Sequence, residues 1–165
     1  MARKLRFCKL HSRYHIMLRG VSAQNIFVDD FDRTRLCLFL QAAIEKHGFL
    51  IHAFCFMQNH LHFIFEPKQS PLYECVHAFA SRYAQYFNRR HGRQGYLFQG
   101  RFRSILIEDG MYLKRLIRYI HLHPLETFLV KNPEDFRWSS HRSYLGMAEY
   151  VWLTTDLILS RFAAT

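Results

Sequence analysis

The sequence predicts an α+β fold, in which strands and helices alternate in an order that builds one antiparallel sheet. Short stretches alternate apolar and polar residues at a period of two, as half-buried strands do. Longer stretches repeat apolar residues every three or four positions, as helices packed on a sheet do. With 165 residues, half of them hydrophobic, we expect a single domain over residues 1–165, with a core of about 14–124 and a C-terminal tail at 125–165.

The first half of the chain carries three predicted strands and one helix. We expect the strands at residues 14–20, 49–57 and 60–66. The helix lies between the first two strands; aspartates near position 30 open it and Gly48 ends it. The second and third strands are separated only by Gln58–Asn59, which indicates a hairpin.

The second half continues with a helix, a strand and a helix. Ser70–Pro71 is typical of a helix start, with a capping serine followed by a first-turn proline. RFRSILIE at 101–108 predicts a fourth strand, and Asp109 opens a last helix that we expect Pro124 to terminate. The first six elements therefore have the order βαββαβ, the ferredoxin-like arrangement, followed by an additional C-terminal helix. Two helices would cover one face of the sheet and leave the other for a ligand or the last helix.

The charge balance favours a polyanionic partner. Lys and Arg number 23 against 13 Asp and Glu, which gives a formal charge of +10. Arginine pairs with phosphate through its planar fork, so nucleic acid is the simplest partner. A basic protein without a charged partner is the alternative.

Cysteine content and hydropathy indicate a cytoplasmic protein. The four cysteines form no C-x-x-C pair, and we expect them to be reduced and structural. The first 15 residues contain no uninterrupted apolar segment, so no signal peptide is expected. No apolar run approaches the roughly 20 residues that span a bilayer, so we expect no membrane partner.

Two histidines stand one residue apart in the strand-like run QNHLHFIFE at residues 58–66. Alternate residues of a strand share a face, so the apolar residues would cover one side while His60 and His62 project from the other. Two steps along a strand place them roughly 6.5–7 Å apart, close enough for both rings to converge on one ion or phosphate. The alternative is a pair of buried, hydrogen-bonded histidines without a metal.

The same tripeptide, HLH, recurs in the last helix, where its geometry differs. His121 and His123 would lie about 200° apart around a helix, so they cannot serve one site. Tyr119 and His123, one turn apart, share a face with Tyr112 and Arg115. A tyrosine beside a histidine is typical of a nucleophile next to a metal ligand. An ordinary amphipathic helix with a polar boundary face is the alternative.

These residues together predict one catalytic site. Imidazoles from His60, His62 and His123 would hold a divalent ion and leave coordination positions open for substrate. Tyr119 would then attack a phosphate and form a covalent link. A structural zinc site is less consistent with the sequence, because no cysteine cluster accompanies the histidines.

Several motifs resemble those of a known family. FCFMQNHLHFIF resembles the HUH segment (histidine, bulky hydrophobe, histidine) of single-tyrosine HUH transposases. GYLFQGRFRSILIEDGMYLKRLIRYIHLHPLE and then FRWSS resemble the REP-associated tyrosine transposase branch. The match extends over most of residues 14–145. HxH alone is weak evidence, but the motifs in this order are specific together.

The resemblance implies a ferredoxin-like HUH nuclease with a divalent cofactor, Mg²⁺ or Mn²⁺. It assigns the nucleophile to Tyr119 and metal binding to His60 and His62. The third ligand is expected four residues after the tyrosine, where this branch usually carries asparagine and this chain has His123. Because position 115, one turn before Tyr119, is arginine, we expect a single nucleophile. Tyr112 would face the substrate or pack in the core, and it is the second candidate for the nucleophile; Arg115 is a further secondary candidate for the site.

The resemblance also implies the reaction and its substrate. The enzyme would cleave and transfer single-stranded DNA at repetitive palindromic hairpins through a 5′-phosphotyrosine, as a monomer or homodimer associated with the nucleoid. Two other functions are compatible with the sequence. One is a catalytically inactive nucleic-acid-binding protein, and the other is a metal phosphodiesterase that uses water as the nucleophile.

Arginines alternate with aromatic residues over positions 81–103, as in surfaces that bind phosphates and stack bases. We expect DNA contacts from Arg89, Arg90, Arg93, Tyr96, Phe98, Arg101 and Arg103. A solvated basic face is the alternative. The sequence assigns no role to Trp138-Ser139-Ser140 in the tail.

Overall fold

A computed structural model describes residues 8–164 and contains the elements in the predicted order. The strands are β1 Arg13–Arg19, β2 Phe49–Phe56, β3 His60–Pro67 and β4 Arg103–Ile107. The helices are α1 Asp30–His47, α2 Leu72–Arg90, α3 Gly110–Glu126, α4 His141–Tyr144 and α5 Asp156–Ala163. The expected absence of a signal peptide concerns a segment whose residues 1–7 lie outside the described part.

The described strands form one antiparallel sheet in the order β2-β3-β1-β4, which confirms the ferredoxin-like α+β fold. The apolar alternation in β3 divides the core as predicted. Leu61, Phe63 and Phe65 pack into one cluster with α1 and α2. Ile64 points to the opposite face, where it packs with residues of α3 such as Ile117. The sheet therefore separates a two-helix layer from the face that carries α3.

Two helix starts and one helix end follow directly from local sequence. The Asp29 side chain accepts a hydrogen bond from the Asp32 amide at 3.1 Å and caps α1. Asp109 caps α3 in the same way, accepting from the Tyr112 amide at 2.6 Å. Gly48 ends α1 with a φ of 58°, a left-handed conformation that glycine adopts without a Cβ clash.

Three predicted boundaries were wrong. Pro71, not Ser70, occupies the N-cap of α2, because the Ser70 hydroxyl instead lies 3.2 Å from Nδ1 of His47. The fourth strand covers only Arg103–Ile107. Pro124 does not end α3 but lies buried inside its last turn. A proline so near the C-terminus removes only one ladder hydrogen bond, and the turn that follows is closed by other backbone bonds.

The tail covers the outer edge of β2 and gives the Trp138-Ser139-Ser140 segment a structural role. The Phe56 amide donates to the Trp138 carbonyl at 2.8 Å, and the Ser140 amide donates to the Phe54 carbonyl at 2.9 Å. The Trp138 indole donates to Asp30 at 2.6 Å and ties the segment to α1. These bonds satisfy strand-edge groups that would otherwise be open to pairing.

The state of the cysteines and the hydropathy of the helices also bear on the sequence predictions. All four cysteines are free, and Cys55 and Cys75 are buried. Within residues 8–164, no helix combines the length and the apolar character needed to cross a bilayer.

Candidate metal and nucleophile site

The structure brings His60, His62 and His123 together on the α3 face of the sheet. Strand β3 directs the first two imidazoles toward this face, and α3 brings the third across it. Nε2 of His60 lies 2.9 Å from Nε2 of His123, and the ring centroids of His62 and His123 are 5.1 Å apart. One nitrogen from each residue lies within 4.8 Å of the other two, a spacing compatible with a shared metal ion.

Hydrogen bonds determine which nitrogen of two of these histidines faces the site. Nδ1 of His60 lies 2.6 Å from Oδ1 of Asn59, and an amide oxygen only accepts, so Nδ1 carries the proton. Nδ1 of His62 lies 3.0 Å from Nε2 of His15. Both contacts leave Nε2 for the site, in the way that supporting hydrogen bonds orient metal-ligating histidines.

Burial keeps these imidazoles neutral. It lowers the pKa of His60 to about 4 and that of His62 to about 2, and charge on the neighbouring histidines adds to both shifts. Burial also lowers the pKa of His123, although the Glu126 carboxylate opposes the shift. Neutral imidazole is the form that binds a metal.

The residues present fit a divalent ion. Nε2 of His62 is buried and lacks a hydrogen-bond partner among the described residues, which is costly unless a cation occupies the space it faces. The nitrogens of His60 and His123 that lie 2.9 Å apart also need a proton or a metal ion between them. An all-imidazole set suits Mn, Fe, Co, Ni or Zn better than Mg.

Tyr119 lies beside this cluster and is open to solvent. Its ring centroid is 5.5 Å from that of His62 and 5.2 Å from that of His123, and 38% of the residue is exposed. Burial and the nearby Glu126 carboxylate raise the pKa of the phenol. His121, the first histidine of the HLH tripeptide in α3, points away from the cluster and contacts the Ser140 hydroxyl at 2.8 Å, as the helical geometry predicts.

The two secondary candidates occupy different environments. Tyr112 is half-buried and packs against the apolar cluster beneath α3, so its ring contributes to the core. Arg115 is exposed on the surface of the same helix. Neither residue belongs to the histidine cluster.

The predicted DNA-binding residues fall into two groups. The first group is exposed and consists of Arg89, Tyr96, Arg101 and Arg103. Tyr96 is 88% exposed, so its ring has a free face. These four side chains are available to an incoming nucleic acid.

The second group makes contacts within the protein. Arg90 forms ion pairs with Asp29 and Asp32 at 2.7 and 2.6 Å. The Arg93 guanidinium donates to the Gln24 side chain at 2.8 Å. Phe98 is only partly exposed and packs against the main core. These contacts compete with any role in DNA binding.

His15 also lies at this site, although the sequence motifs did not indicate it. Tyr14, Ile16 and Leu18 alternate toward the two-helix core, so His15 necessarily points to the same face as His62 on the adjacent strand. This alternation was visible in the sequence. The pairing of β1 with β3, which places the two rings together, was not.

The fold is shared with solved transposase structures. A REP-associated tyrosine transposase bound to a REP hairpin superposes with a TM-score of 0.72 at 15% identity, covering 93% of this chain and 92% of the other. A candidate transposase from Deinococcus radiodurans gives a TM-score of 0.50 at 15% identity, covering 73% of this chain and 95% of the other. No curated protein sequence gives a significant match.

The sequence itself defines the family. The model of the family described as "Transposase IS200 like" matches residues 8–123, which include the histidine cluster and Tyr119. The chain therefore belongs to the IS200-like transposase family.

Proposed function

We propose that this transposase cleaves and transfers single-stranded DNA through a 5′-phosphotyrosine at Tyr119, with a divalent metal ion as cofactor. The proposal depends on one observation: nitrogens of His60, His62 and His123 converge beside the exposed Tyr119 ring. A tyrosine next to a metal site with open coordination positions suits phosphoryl transfer.

The three histidines would hold Mn²⁺ or Mg²⁺, and imidazole ligands favour Mn²⁺. When bound, the ion would polarise the scissile phosphate and offset the negative charge that develops on it. Asn59 and His15 orient His60 and His62 for this role through the contacts to their Nδ1 atoms. Because their pKa values are low, these histidines need lose no proton to bind metal near neutral pH.

Tyr119 would supply the attacking oxygen. Its raised pKa means that the phenol is protonated near neutrality and must release its proton to solvent water as the bond to phosphorus forms. The bond between phosphorus and the 3′ oxygen then breaks, and that oxygen takes up a proton to become a 3′ hydroxyl. Attack by another 3′ hydroxyl on the phosphotyrosine would reverse the step and transfer the strand.

The solved relative bound to a REP hairpin supports palindromic hairpin DNA as the substrate. Arg89, Arg101 and Arg103 are the best candidates for phosphate contacts, and Tyr96 is the best candidate for stacking on a base. Arg90, Arg93 and Phe98 would have to share or exchange their present contacts to take part. A protein with this substrate would act at the nucleoid, as a monomer or homodimer.

The deciding experiment detects the covalent intermediate. The protein is incubated with labelled hairpin DNA that carries a single-stranded flank, with Mn²⁺ or Mg²⁺, and is analysed on a denaturing gel. We expect a DNA–protein adduct in the wild type and in Tyr112→Phe, and none in Tyr119→Phe.

Two other outcomes would indicate a different function, and a third would indicate a different nucleophile. Cleavage without an adduct in the wild type would indicate a phosphodiesterase that uses water. Binding without cleavage would indicate a nucleic-acid-binding protein. An adduct that persists in Tyr119→Phe would refute the assignment of the nucleophile.

A further inference from the structure

Helix α3 ends in a Schellman motif with a phenylalanine at its left-handed position. The Phe128 amide donates to the Leu125 carbonyl and the Leu129 amide donates to the Pro124 carbonyl, both at 3.0 Å. This pair of bonds defines the motif. Phe128 has a φ of 59°.

Glycine is the usual residue at this position, because a Cβ is strained in the left-handed conformation. Burial of the ring does not offset this strain, since Phe128 is 94% exposed, more than any other large hydrophobic residue in the described part. A strained, bulky residue that stays in solvent suggests a function for the ring itself.

Phe128 lies in the turn that directly follows the helix bearing Tyr119 and His123. The turn that holds it is built on His123, whose carbonyl accepts from the Thr127 amide at 3.1 Å and from the Thr127 hydroxyl at 2.9 Å. At about 1.5 Å per residue, Phe128 lies roughly 7.5 Å beyond His123 and 13.5 Å beyond Tyr119 along the helix axis.

We propose that Phe128 stacks on an unpaired nucleobase in the strand that flanks the cleavage site. The inference rests on the proposed function, because it assumes that DNA lies against Tyr119. An exposed aromatic face binds any base by stacking, without reading its sequence. Arg115 and Arg118 on the same helix and Lys131 beyond it are exposed and could neutralise the adjacent phosphates.

A nucleobase fits this ring better than a second copy of the protein does. Copies that each carry a formal charge of +10 repel one another, whereas the same charge attracts DNA.

Phe128→Gly separates a binding role from a structural one. The substitution removes the ring and also relieves the left-handed strain, so it should raise the thermal midpoint while weakening DNA binding. A ring that serves only the fold would give the opposite result, a lower midpoint. Phe128→Trp keeps an aromatic face and should retain the affinity.

The test compares dissociation constants for a hairpin with a single-stranded flank and for the same hairpin without it. We expect Phe128→Gly to weaken binding of the flanked hairpin by roughly 5- to 150-fold, the range expected for loss of one stacked base. Binding of the blunt hairpin should not change. Tyr73→Ala is the matched control, because Tyr73 is also exposed, on α2, and should affect neither DNA.

Three results would overturn the inference. They are an unchanged affinity of Phe128→Gly for the flanked hairpin, an equal loss for both hairpins, and a DNA-free dimer that Phe128→Gly dissociates. Binding needs no cleavage, so the assay is independent of the chemistry. If the wild type forms no adduct but binds the flank through Phe128, the proposed chemistry fails and the stacking role is supported.

Discussion

His15 and His62 form a stacked, hydrogen-bonded pair across strands β1 and β3. Their facing nitrogens are 3.0 Å apart and their ring centroids are 5.2 Å apart. If His62 binds a metal ion through Nε2, as proposed, its Nδ1 would carry the proton and donate to His15. His15 would then be a positioning residue that fixes the tautomer and the ring orientation of His62 without entering the site.

His15→Phe should weaken metal binding. The phenyl ring keeps most of the stacking volume but cannot accept the proton of His62. Loss of such a supporting hydrogen bond typically lowers metal affinity by about 10- to 100-fold. Titration calorimetry with Mn²⁺ measures the change, with His77→Phe on the exposed surface of α2 as the control. Equal Mn²⁺ affinity in His15→Phe and the wild type would show that His15 does not position His62 for metal binding.

His123→Asn should retain activity, whereas His123→Ala should lose it. Asparagine replaces the imidazole nitrogen with an amide oxygen, and oxygen ligands suit Mg²⁺ better than imidazole does. We therefore expect adduct formation in His123→Asn to shift its preference from Mn²⁺ toward Mg²⁺.

Alanine leaves no ligand at position 123. It should slow adduct formation by more than about 100-fold, beyond the usual effect of losing a supporting hydrogen bond. Rates measured over a series of Mn²⁺ and Mg²⁺ concentrations decide the question. A wild-type rate in His123→Ala would show that two histidines suffice.

Arg90→Ala should destabilise the fold more than it weakens DNA binding. Arg90 is paired with Asp29 and with the buried Asp32. The neighbouring Arg89 is exposed and provides a matched comparison. Arg89→Ala should leave the thermal midpoint unchanged and reduce the salt dependence of DNA binding, by about 0.7–0.9 in the slope of log K against log salt.

The destabilisation by Arg90→Ala should depend on pH. Although burial raises the pKa of Asp32, the Val28 amide, Arg90 and His91 together hold it below its usual value of 3.8. A lowered carboxyl pKa contributes stability that is complete above about pH 4 and disappears as Asp32 becomes protonated at lower pH. The difference in thermal midpoint should therefore reach several degrees near neutrality and shrink in acid. A difference that does not vary with pH would contradict the ion-pair explanation.

Ser140→Ala should lower the free energy of unfolding by about 1–3 kcal/mol. The Ser140 hydroxyl accepts from the Phe54 amide at 3.0 Å and contacts His121 at 2.8 Å, so alanine leaves buried polar groups unpaired. The nearby Ser143 hydroxyl oxygen is buried without a partner among the described residues. Ser143→Ala should thus be neutral or stabilising. Urea denaturation measures both variants, and equal effects would show that the Ser140 contacts do not hold the tail.

Local patterns predicted the fold and the composition of the histidine cluster. The period-two alternation in β3 was enough to place His60 and His62 on one face, and the helical period was enough to pair Tyr119 with His123. Pro124 shows the limit of such rules: packing and the bonds of the following turn override its tendency to end a helix.

Contacts between distant parts of the chain could not be predicted. His15 and His62 are 47 residues apart, and Arg90 and Asp32 are 58 residues apart. No periodicity links such positions, because the sheet register and the packing of α1 against α2 bring them together. The same reason explains why the segment beginning at Trp138 had no predicted role.

Peptide mapping of the adduct identifies the nucleophile and its dependence on the histidine cluster. Trypsin cleaves after Arg118 and Lys131, so Tyr119 lies in the peptide 119–131 and Tyr112 lies in the peptide 104–114. If Tyr119 is the nucleophile and the histidines hold the metal ion, we expect a nucleotide mass on 119–131 that requires added Mn²⁺ or Mg²⁺ and is lost in His62→Ala. A nucleotide on 104–114, or equal modification of 119–131 in His62→Ala, would contradict it.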